Sequence, residues 1–289
     1  MIETGFVILH YGDKEVTGVC VRSILSMDFE NQAAIVIVDN DRENSDPEKW
    51  QEYRGISWIH ILRNTENHGF SHANNLGYRY AREILGAKTI LVLNNDIEFR
   101  QREFLEKLEA SFRHSGSHII APEIRKRSGR EPQNPLDTRL RSKEEAEFTV
   151  RMNKVALRWF PIVFPFITLQ QKMADKKRVR QKKEKSDFYH NYQEQIIPFG
   201  ACLIFTELFV RAEENAFEPE TQFYYEEYLL ALRCFRKGYR ISYDPRLKLL
   251  HDSGSATRKS LRTRRAETRF LLENTAASCQ VYLNELEKR

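Results

Sequence analysis

Three oxygen-bearing side chains end a hydrophobic run in the first half of the chain. In "ILVLNND" (residues 90–96), four apolar residues lead directly into Asn94, Asn95 and Asp96. Mg2+ and Mn2+ prefer oxygen ligands, and they commonly take one or two carboxylates together with substrate phosphates. Asp96 is therefore a candidate ligand for a metal that a diphosphate also binds. The alternative is a polar turn in which these side chains bond to backbone amides.

Three more acids stand where a carboxylate could take part in chemistry. Asp39 ends the apolar run "AAIVIVDN", where it can accept hydrogen bonds from a ribose hydroxyl or a base N–H group, or simply form a turn. Glu226 and Glu227 are adjacent, so they cannot share one face of a helix and their roles should differ. One of them could be a general base towards an attacking hydroxyl, although acids also stabilise a helix start through its dipole.

A histidine and an asparagine-rich segment complete the set of candidates. His251 precedes "DSGS" and could be a metal ligand, a phosphate donor, a base or a structural residue. The segment "NTENHGFSHANNLG" (residues 64–77) places Gly69 before a predicted helix, whose N-terminus could receive an anion or simply be capped by the loop. Neither GxGxxG nor GxxxxGK[ST] occurs in the sequence, which argues against a dinucleotide dehydrogenase and a P-loop NTPase.

Alternating strand and helix patterns position these residues. Apolar runs predict strands at residues 5–11, 33–40, 56–64, 88–96 and 118–124, and helical spacing predicts helices at 16–27, 71–85 (with Ser71 as N-cap) and 102–114. This order predicts an α/β fold with a mostly parallel, Rossmann-like sheet covered by helices. Because ligands bind outside the carboxyl ends of such strands, we expect the polar residues that follow these strands to share one edge.

The second half of the chain divides into three parts. Residues 128–195 are predicted to be an insertion with aromatic residues at 155–170 and a basic tract after them. The core resumes at 196–256, with a helix at 223–239 that Gly238 stops, a short strand and turn at 240–245 and a further strand from 247. Residues 257–289 form a C-terminal segment with a long amphipathic helix from 264. Residues 1–127 are expected to form one half of the fold and residues 196–256 the other.

Composition restricts the class of protein and its compartment. The net charge of +5 suits an anionic ligand or an anionic membrane surface but does not call for nucleic acid. Four scattered cysteines without a CxxC pair indicate neither a zinc site nor a disulfide framework. No signal peptide and no apolar run of about 20 residues is found, so a cytoplasmic protein is expected. The aromatic and basic insertion could rest on the inner face of a membrane or be a packed helix followed by solvated charges.

In combination, these motifs carry a resemblance to a known family. The order "VILHYGD…IVIVDN…NTENHGFSHANNLG…ILVLNND…PFGACLIF…FYYEEYLLALRCFRKGYRISYDP…LLHDSGS" resembles that of the family 2 glycosyltransferases of the GT-A type, above all their bacterial rhamnosyltransferase-like branch. The resemblance covers residues 5–122 and 196–255. It implies that residues 1–127 are the nucleotide-sugar-binding half and residues 196–256 the acceptor and catalytic half. Each motif is weak alone, and the order and spacing make the joint match specific.

The resemblance implies a reaction, a cofactor and partners. It implies an inverting transfer of a sugar, hexosyl or rhamnosyl, from a UDP- or dTDP-linked donor to a hydroxyl of a glycan or lipid-linked acceptor, in bacterial cell wall or capsule polysaccharide synthesis. Mg2+ or Mn2+ is the implied cofactor, with Asp96 and His251 as ligands. The donor-binding residues are expected to be His10, Tyr11, Asp39, Asn67, Gly69, Phe70, Asn74, Asn94 and Asn95.

Two departures from the family pattern leave the base open between two residues. Glu227 stands where the family usually has the catalytic Asp, and Glu226 matches the Glu before it. Leu229 occupies a position that is often acidic in this branch. Glu227 is the preferred base and Glu226 the alternative.

Two other classes of protein are weaker alternatives. A nucleotidyltransferase would need a glycine-rich loop with Lys or Arg near the first strand, and "HYGDKEVTG" contains only fragments of one. A non-catalytic basic binding protein on the same fold would use the tract at 172–185 and bind nucleic acid in a salt-sensitive way. The acids at Asp39, Asp96 and Glu227 argue against a degenerate site.

Overall fold

A nine-stranded sheet forms the centre of the computed structural model. The structure describes residues 2–27, 32–41, 48–64, 68–127, 132–167, 173, 186–252 and 263–288. The strands are β1 (Thr4–His10), β2 (Ala33–Asp39), β3 (Ile59–Arg63), β4 (Thr89–Asn94), β5 (Ile97–Phe99), β6 (Ile119–Lys126), β7 (Gln193–Glu194), β8 (Cys202–Phe205) and β9 (Ile241–His251). Their order is β3-β2-β1-β4-β8-β6-β9-β5, and β7 pairs with β9.

Most strands of this sheet point in the same direction. β1 pairs in parallel with β2 and β4, β2 with β3, and β6 with β9, while β8 is antiparallel to both of its neighbours, β4 and β6. The short strands β5 and β7 are antiparallel to β9. The prediction of an α/β fold with a mostly parallel sheet is confirmed.

The apolar runs form strands because both faces of the sheet are covered. Along β1, Val7 faces one core cluster while Phe6 and Ile8 face the other. Successive side chains of a strand point to opposite faces, so a strand buried on both sides needs apolar residues at every position. This explains why "FVIL" and "AIVIV" show no polar alternation.

The helices are α1 (Lys14–Leu25), α2 (Phe70–Arg79), α3 (Phe104–Ser115), α4 (Lys143–Arg158), α5 (160–167), α6 (Ser186–His190), α7 (Glu207–Ala212), α8 (Glu226–Arg236) and α9 (Arg264–Glu287). A π-helical turn, Tyr80–Ile84, continues α2, and a 3-10 turn covers Gln51–Tyr53. Among the described residues, no helix is long and apolar enough to cross a membrane.

Two local predictions are wrong. Ser71 is not the N-cap of α2, because Gly69 holds that position and the Ser71 hydroxyl lies 3.2 Å from the Thr221 hydroxyl inside the fold. The two strands predicted at 240–245 and from 247 are the single strand β9. Pro245 does not end the strand, because a register shift between Pro122 and Glu123 of β6 absorbs the irregularity.

The insertion joins the main body through a pair of antiparallel helices. Lys143 at the start of α4 pairs with Glu287 at the end of α9 at 2.7 Å, and Arg265 at the start of α9 lies over the Phe160 ring at 5.8 Å. Between these ends, Ala146 of α4 and Cys279 of α9 belong to the same core cluster. The C-terminal helix therefore covers one face of the insertion.

Candidate active site

Asp96 and His251 meet at the carboxyl edge of the sheet, although they are far apart in sequence. Asp96 lies between β4 and β5, and Ile97 of β5 pairs with His251, the last residue of β9. The Asp252 N–H donates to the Asp96 carbonyl at 3.0 Å, which holds this register. Asp96 Oδ1 and His251 Nε2 consequently lie 3.1 Å apart, and both side chains are buried.

Gln133 orients the His251 ring. The Gln133 Oε1 lies 2.8 Å from His251 Nδ1; because an amide oxygen can only accept, Nδ1 carries the proton in this contact. Gln133 is itself attached to β6, since its N–H donates to the Ile124 carbonyl at 2.7 Å. This contact leaves His251 Nε2 facing Asp96, with a lone pair when the ring is neutral.

The Asp96–His251 pair fits a hard divalent cation that is shared with a phosphate. Two adjacent ligands of an octahedral ion are about 3 Å apart when each bond is about 2.1 Å, and the two protein atoms are separated by 3.1 Å. In the part of the chain that the structure describes, no group of three or more His, Cys, Asp or Glu side chains could hold a metal. The protein would thus supply two ligands, and water and a diphosphate would supply the others.

A three-residue segment, 199–201, connects this pair to the second half of the chain. The Phe199 ring packs against the His251 ring with centroids 5.9 Å apart. The Ala201 carbonyl accepts from the Asn94 N–H at 3.0 Å, immediately before β8 begins. The segment therefore contacts both strand ends that carry the metal-ligand candidates.

Asn134 fixes this segment against β6. Its Oδ1 accepts from the Phe199 N–H at 2.9 Å, and its Nδ2 donates to the Pro122 carbonyl at 2.8 Å. The Asn134 side chain is fully buried. Because a buried amide with both ends bonded is costly to move, Asn134 restricts where segment 199–201 can lie.

Glu227 reaches the same segment from α8. Its Oε1 accepts from the Gly200 N–H at 3.1 Å. A Cβ at Gly200 would lie 2.7 Å from this oxygen, so a larger residue there would displace the Glu227 carboxylate from this position. The Glu227 carboxylate and the Asp96–His251 pair thus contact neighbouring residues of one short segment.

Two consecutive tyrosines in the left-handed conformation precede Glu226 and Glu227. Tyr224 has φ 67° and Tyr225 has φ 68°, which is uncommon for residues other than glycine. Such backbone strain persists only where the surrounding packing enforces it, and it is frequent at functional sites. The Tyr225 ring packs on Tyr282 of α9, with ring centroids 5.6 Å apart. This turn directs the first residues of α8 towards segment 199–201.

Burial changes the proton affinity of both glutamates. Burial raises the pKa of Glu226 well above its usual value, and the neighbouring Glu227 charge raises it further. Burial also raises the pKa of Glu227, while the N–H groups of Glu227 and Gly200 lower it in part. Glu226 is 6% exposed, whereas Glu227 is half-buried and contacts the Gly200 N–H. Glu227 is therefore the carboxylate that is directed out of the helix start.

Asp39 lies at the same edge, but protein donors already contact it. Trp50 Nε1 donates to Oδ2 at 2.8 Å, and Lys49 Nζ and the Asp41 N–H donate to Oδ1 at 3.3 Å each. A carboxylate has about four lone-pair sites, so the hydrogen bonds from described residues leave one acceptor position of Asp39. Tyr11, which follows β1, is half-buried next to Asp39 in the sheet order.

His10 is enclosed by protein groups. It has no exposed surface, its Nδ1 lies 2.6 Å from the Thr17 hydroxyl, and its ring packs edge-on against Trp50 at 4.8 Å. Burial lowers the pKa of His10 to about 4, and the Lys49 charge contributes. The ring is therefore neutral at pH 7, and its contacts support the Asp39 environment.

Asn94 and Asn95 differ in their surroundings. Asn95 is buried and donates from Nδ2 to the Thr17 hydroxyl at 3.0 Å and to the Tyr11 carbonyl at 3.4 Å. Asn94 is half-buried at the end of β4. Asn95 thus ties the β4 end to the β1 end, and Asn94 is the more accessible of the two amides.

The start of α2 is closed by another part of the chain. The Phe70 N–H donates to the Gln222 carbonyl at 2.7 Å, and the Ser71 N–H donates to the Thr221 carbonyl at 3.4 Å. Gly69 has φ 99°, and a Cβ there would lie 2.4 Å from Gln222 Cα. These two helix N–H groups are therefore bonded to protein carbonyls, and Gly69 and Phe70 connect α2 to the residues before α8.

Asn74 and Asn67 are the last two residues that the sequence predicts to bind the nucleotide sugar. Asn74 is fully buried and donates from Nδ2 to the Phe70 carbonyl at 3.0 Å inside α2. Asn67 lies outside the described residues. Most of the sequence-predicted residues that the structure describes therefore gather at one edge, with Asn74 in the interior of α2 behind it.

Several residues that hold this site were missed in the sequence. They are Lys49, Trp50, Gln133, Asn134 and Gly200, which contact Asp39, His251, Phe199 and Glu227. Gln133 and Asn134 stand in the turn-rich stretch "REPQNP", where neither strand nor helix periodicity assigns a role. Gly200 precedes an apolar run, and a glycine there is a signal for close approach of another group.

Comparisons with known proteins agree with this architecture. The family model described as "Glycosyl transferase family 2" matches residues 6–179. Among curated proteins, the low-salt glycan biosynthesis hexosyltransferase Agl10 of Haloferax volcanii is 34% identical over 113 residues. That match covers 38% of this chain and 35% of Agl10, so the chain spans about a third of the length of this relative.

Solved structures with a similar fold are also glycosyltransferases of the GT-A class. One is the mannosyltransferase PcManGT of Pyrobaculum calidifontis, in complex with GDP-Man and Mn2+. The two structures superpose with a TM-score of 0.54 at 13% sequence identity, and the match covers 99% of this chain and 76% of the PcManGT chain. For TarS 1–349 of S. aureus the TM-score is 0.53 at 13% sequence identity, and the match covers 93% of this chain and 66% of the TarS chain. At this identity the likeness shows the fold, which confirms the predicted GT-A architecture. The family model matches more than half of the residues of this chain, and the chain therefore belongs to glycosyl transferase family 2.

Proposed function

We propose that this chain is an inverting, metal-dependent glycosyltransferase. It would move a hexosyl or rhamnosyl group from a nucleotide-diphosphate donor to a hydroxyl of a glycan or lipid-linked acceptor. One observation carries the proposal: Glu227 and the Asp96–His251 pair contact adjacent residues, Gly200 and Phe199, of one short segment. A base and a diphosphate site are the two groups that such a transfer requires on opposite sides of the anomeric carbon.

Glu227 is the proposed general base. A base works best when its pKa lies near the operating pH, and burial raises the pKa of Glu227 in that direction. Its Oε1 is held by the Gly200 N–H at 3.1 Å, which orients the carboxylate before an acceptor arrives. Taking the proton from the acceptor hydroxyl makes that oxygen a better nucleophile at the anomeric carbon.

Asp96 and His251 are the proposed ligands of Mg2+ or Mn2+. A bound divalent cation would neutralise the charge that develops on the diphosphate leaving group. His251 is oriented by Gln133 at 2.8 Å, and Asp96 by the backbone bond to Asp252 at 3.0 Å. The protein thus holds both proposed ligands in place through Gln133 and Asp252.

The proposed nucleotide subsite is the region around Asp39. Asp39 keeps room for one further hydrogen bond beside Trp50 and Lys49. Tyr11, Asn94 and Asn95 line the adjoining strand ends. A complex of TarS 1–349 contains UDP-GlcNAc, and the PcManGT complex contains GDP-Man. These ligands support a nucleotide-sugar donor; a UDP or dTDP donor and a role in bacterial cell-surface polysaccharide synthesis stay part of the proposal.

A binding screen followed by a rate measurement tests this function. We expect at least one nucleotide sugar, UDP- and dTDP-linked donors included, to raise the melting temperature in the presence of Mn2+ or Mg2+. The same donor should then be hydrolysed slowly, because water can replace the acceptor. If none of a broad donor set shifts the melting temperature or is hydrolysed, the proposed function is wrong.

A further inference from the structure

One face of the insertion helices exposes an apolar stripe. Its six members are Phe148, Met152, Val155, Trp159, Ile162 and Phe166, which are 55%, 45%, 46%, 53%, 63% and 68% exposed. They recur every three or four residues along α4 and α5. At about 100° per residue, Phe148, Met152 and Val155 fall within an arc of about 60° on α4, and Ile162 and Phe166 within about 40° on α5. Trp159 stands at the junction of the two helices. Each helix thus exposes an apolar face rather than scattered residues, and the six residues together are the stripe.

The opposite face of the same helices is already covered. Ala146, Val150 and Phe160 are buried, and Arg265 of α9 lies over the Phe160 ring. Packing against α9 therefore accounts for one apolar face of α4 and α5. It leaves the stripe without a covering element among the described residues, although exposing so much contiguous apolar surface is unfavourable.

Basic side chains line one border of the stripe. Arg151, Lys154 and Arg158 are exposed, and Arg151 lies over the ring of Phe148 at 5.8 Å. Long basic side chains beside aromatic and aliphatic ones are typical of helices that lie in a membrane interface. The charge of this border is complementary to an anionic headgroup layer.

We propose that the stripe docks the protein on the surface of an anionic lipid bilayer. The helices lie parallel to the membrane, with Trp159, Ile162 and Phe166 inserted at the headgroup boundary and Arg151 and Arg158 paired with lipid phosphates. The surface consists of described residues alone, because residues 168–172 and 174–185 lie outside the described part of the chain.

A second copy of the chain fits the stripe less well. Spacing of three and four residues also suits a helix–helix seam, but Pro161 and Pro165 lie inside the stretch that would form the seam, and proline disturbs a regular helix. An antiparallel pair would in addition bring Arg151 and Arg158 of the two copies together. Nucleic acid would neutralise the arginines but would leave Ile162 and Phe166 in water.

Vesicle co-sedimentation tests the proposal with the full chain. Wild-type protein should sediment with vesicles of phosphatidylcholine mixed with phosphatidylglycerol and much less with phosphatidylcholine alone, and added salt should reduce the bound fraction. The double substitution Trp159→Ser with Phe166→Ser should weaken binding by about tenfold or more, because burying one such side chain contributes at least about a factor of ten. The matched control is Ile84→Ser, which removes a side chain that is 67% exposed elsewhere and should leave binding unchanged.

Fluorescence locates the contact independently of sedimentation. Of the three tryptophans, Trp159 is 53% exposed, Trp50 is 3% exposed and Trp58 is half-buried. Anionic vesicles should therefore shift the emission of the wild type to shorter wavelength through Trp159. Trp159→Phe should remove this shift and keep sedimentation, since Phe preserves the apolar surface. Thermal unfolding of each variant verifies that it is folded.

Three outcomes would overturn the proposal. They are failure of the wild type to bind anionic vesicles, equal binding by the Trp159→Ser, Phe166→Ser variant, and a dimer in solution that this variant dissociates, which would identify a second copy as the occupant. None of these readouts depends on glycosyl transfer, so the membrane surface and the proposed function fail separately.

Discussion

At the scale of single residues, the two adjacent glutamates have different environments. Glu227 is half-buried and is oriented by the Gly200 N–H, whereas Glu226 is buried. The family resemblance alone left either residue as the base. The contact with Gly200 favours Glu227, because Gly200 lies just before β8, the strand next to the metal-ligand candidates.

We expect Glu227→Gln to abolish transfer and to leave donor binding intact. The amide can still accept from Gly200 but cannot take a proton, so the rate should fall by about a hundredfold to ten-thousandfold. In the wild type, kcat/KM should rise with pH through the raised pKa of Glu227, because the deprotonated form is active. Donor hydrolysis across pH and the thermal shift with donor provide the two readouts.

The same measurement on Glu226→Gln distinguishes the two assignments. If Glu226→Gln loses the rate and Glu227→Gln turns over normally, the base is Glu226. If both variants turn over normally, neither glutamate is the base and the proposed mechanism is wrong.

Metal dependence is a second prediction at this scale. Asp96→Ala removes the only carboxylate proposed for the ion, so we expect the melting-temperature shift by Mn2+ and the dependence of hydrolysis on Mn2+ both to disappear. His251→Ala should weaken Mn2+ binding, and Gln133→Ala should weaken it by about tenfold or more, because Gln133 orients the ring at 2.8 Å. Unchanged wild-type activity in EDTA would rule out the metal role.

The buried Glu226 carboxyl predicts how stability depends on pH. Its folded-state pKa is raised by burial and by the Glu227 charge, so the folded protein holds a proton that the unfolded chain releases. This contribution is fully present below about pH 4.5, the unfolded pKa, and is lost as pH rises through the folded pKa. Glu226→Gln should therefore stabilise the fold at about pH 8 by about 1 kcal/mol and have no such effect at about pH 4.

Urea unfolding of wild type and Glu226→Gln at several pH values measures this effect. The difference between the two unfolding free energies should grow with pH from about 4.5 upwards. A difference that is constant across pH would show that the carboxyl does not titrate abnormally in the fold.

At the scale of elements, Gly69 is the contact between α2 and the segment before α8. Its φ of 99° strains any L-residue, and a Cβ would lie 2.4 Å from the Gln222 backbone. We expect Gly69→Ala to lower the unfolding free energy by about 2–4 kcal/mol, the sum of conformational strain and a steric clash with backbone. The Phe70–Gln222 bond at 2.7 Å should be lost as the two segments separate.

Gly55→Ala is the matched control for this substitution. Gly55 has a φ of 81°, and a Cβ added there would meet no described atom within 4 Å, so only the strain of about 1 kcal/mol applies. Equal losses in the two variants, measured by urea unfolding, would show that the contact between Gly69 and Gln222 does not exist.

The elements also show how far the sequence alone determines the site. The main strands, the edge on which their polar residues gather and the Asp96 and His251 candidates follow from local apolar patterns. These patterns are clearest in β1, β2 and β4, which are buried on both faces. The 3.1 Å approach of Asp96 to His251 depends on the antiparallel pairing of β5 with β9, which no local pattern encodes. Gln133 and Asn134 act from a turn with no periodicity, so only the tertiary structure reveals them.

The Ser71 error has a similar origin. A serine before an apolar helical pattern is a good local N-cap, yet α2 begins earlier because Gln222 and Thr221 supply carbonyls to Phe70 and Ser71. Tertiary hydrogen bonds here replaced the local cap. The family and the α/β fold are confirmed, whereas the rhamnosyltransferase-like branch stays a prediction.

At the scale of the whole molecule, the C-terminal helix supports the turn that carries the base. Tyr282 of α9 is fully buried, its ring packs on Tyr225 and Tyr228, and its hydroxyl donates to the Arg141 carbonyl at 2.9 Å. Ser278 of α9 donates to the Phe223 carbonyl at 2.7 Å. The left-handed conformation of Tyr224 and Tyr225 therefore depends on a helix that begins almost forty residues later in the chain.

We expect Tyr282→Ala to damage catalysis beyond its effect on stability. The cavity should lower the unfolding free energy by about 3–5 kcal/mol. The strained Tyr225 should relax once its packing partner is gone, which displaces Glu227.

Leu108→Ala is the control, because Leu108 is 5% exposed in the core cluster on the other face of the sheet. This substitution should lower the unfolding free energy by about 2–5 kcal/mol. Donor hydrolysis is compared well below both melting temperatures, where both variants are folded. A lower kcat in Tyr282→Ala, with near-normal kcat in Leu108→Ala, is the expected result. Equal rates in the two variants would show that α9 contributes to stability alone and does not position the base.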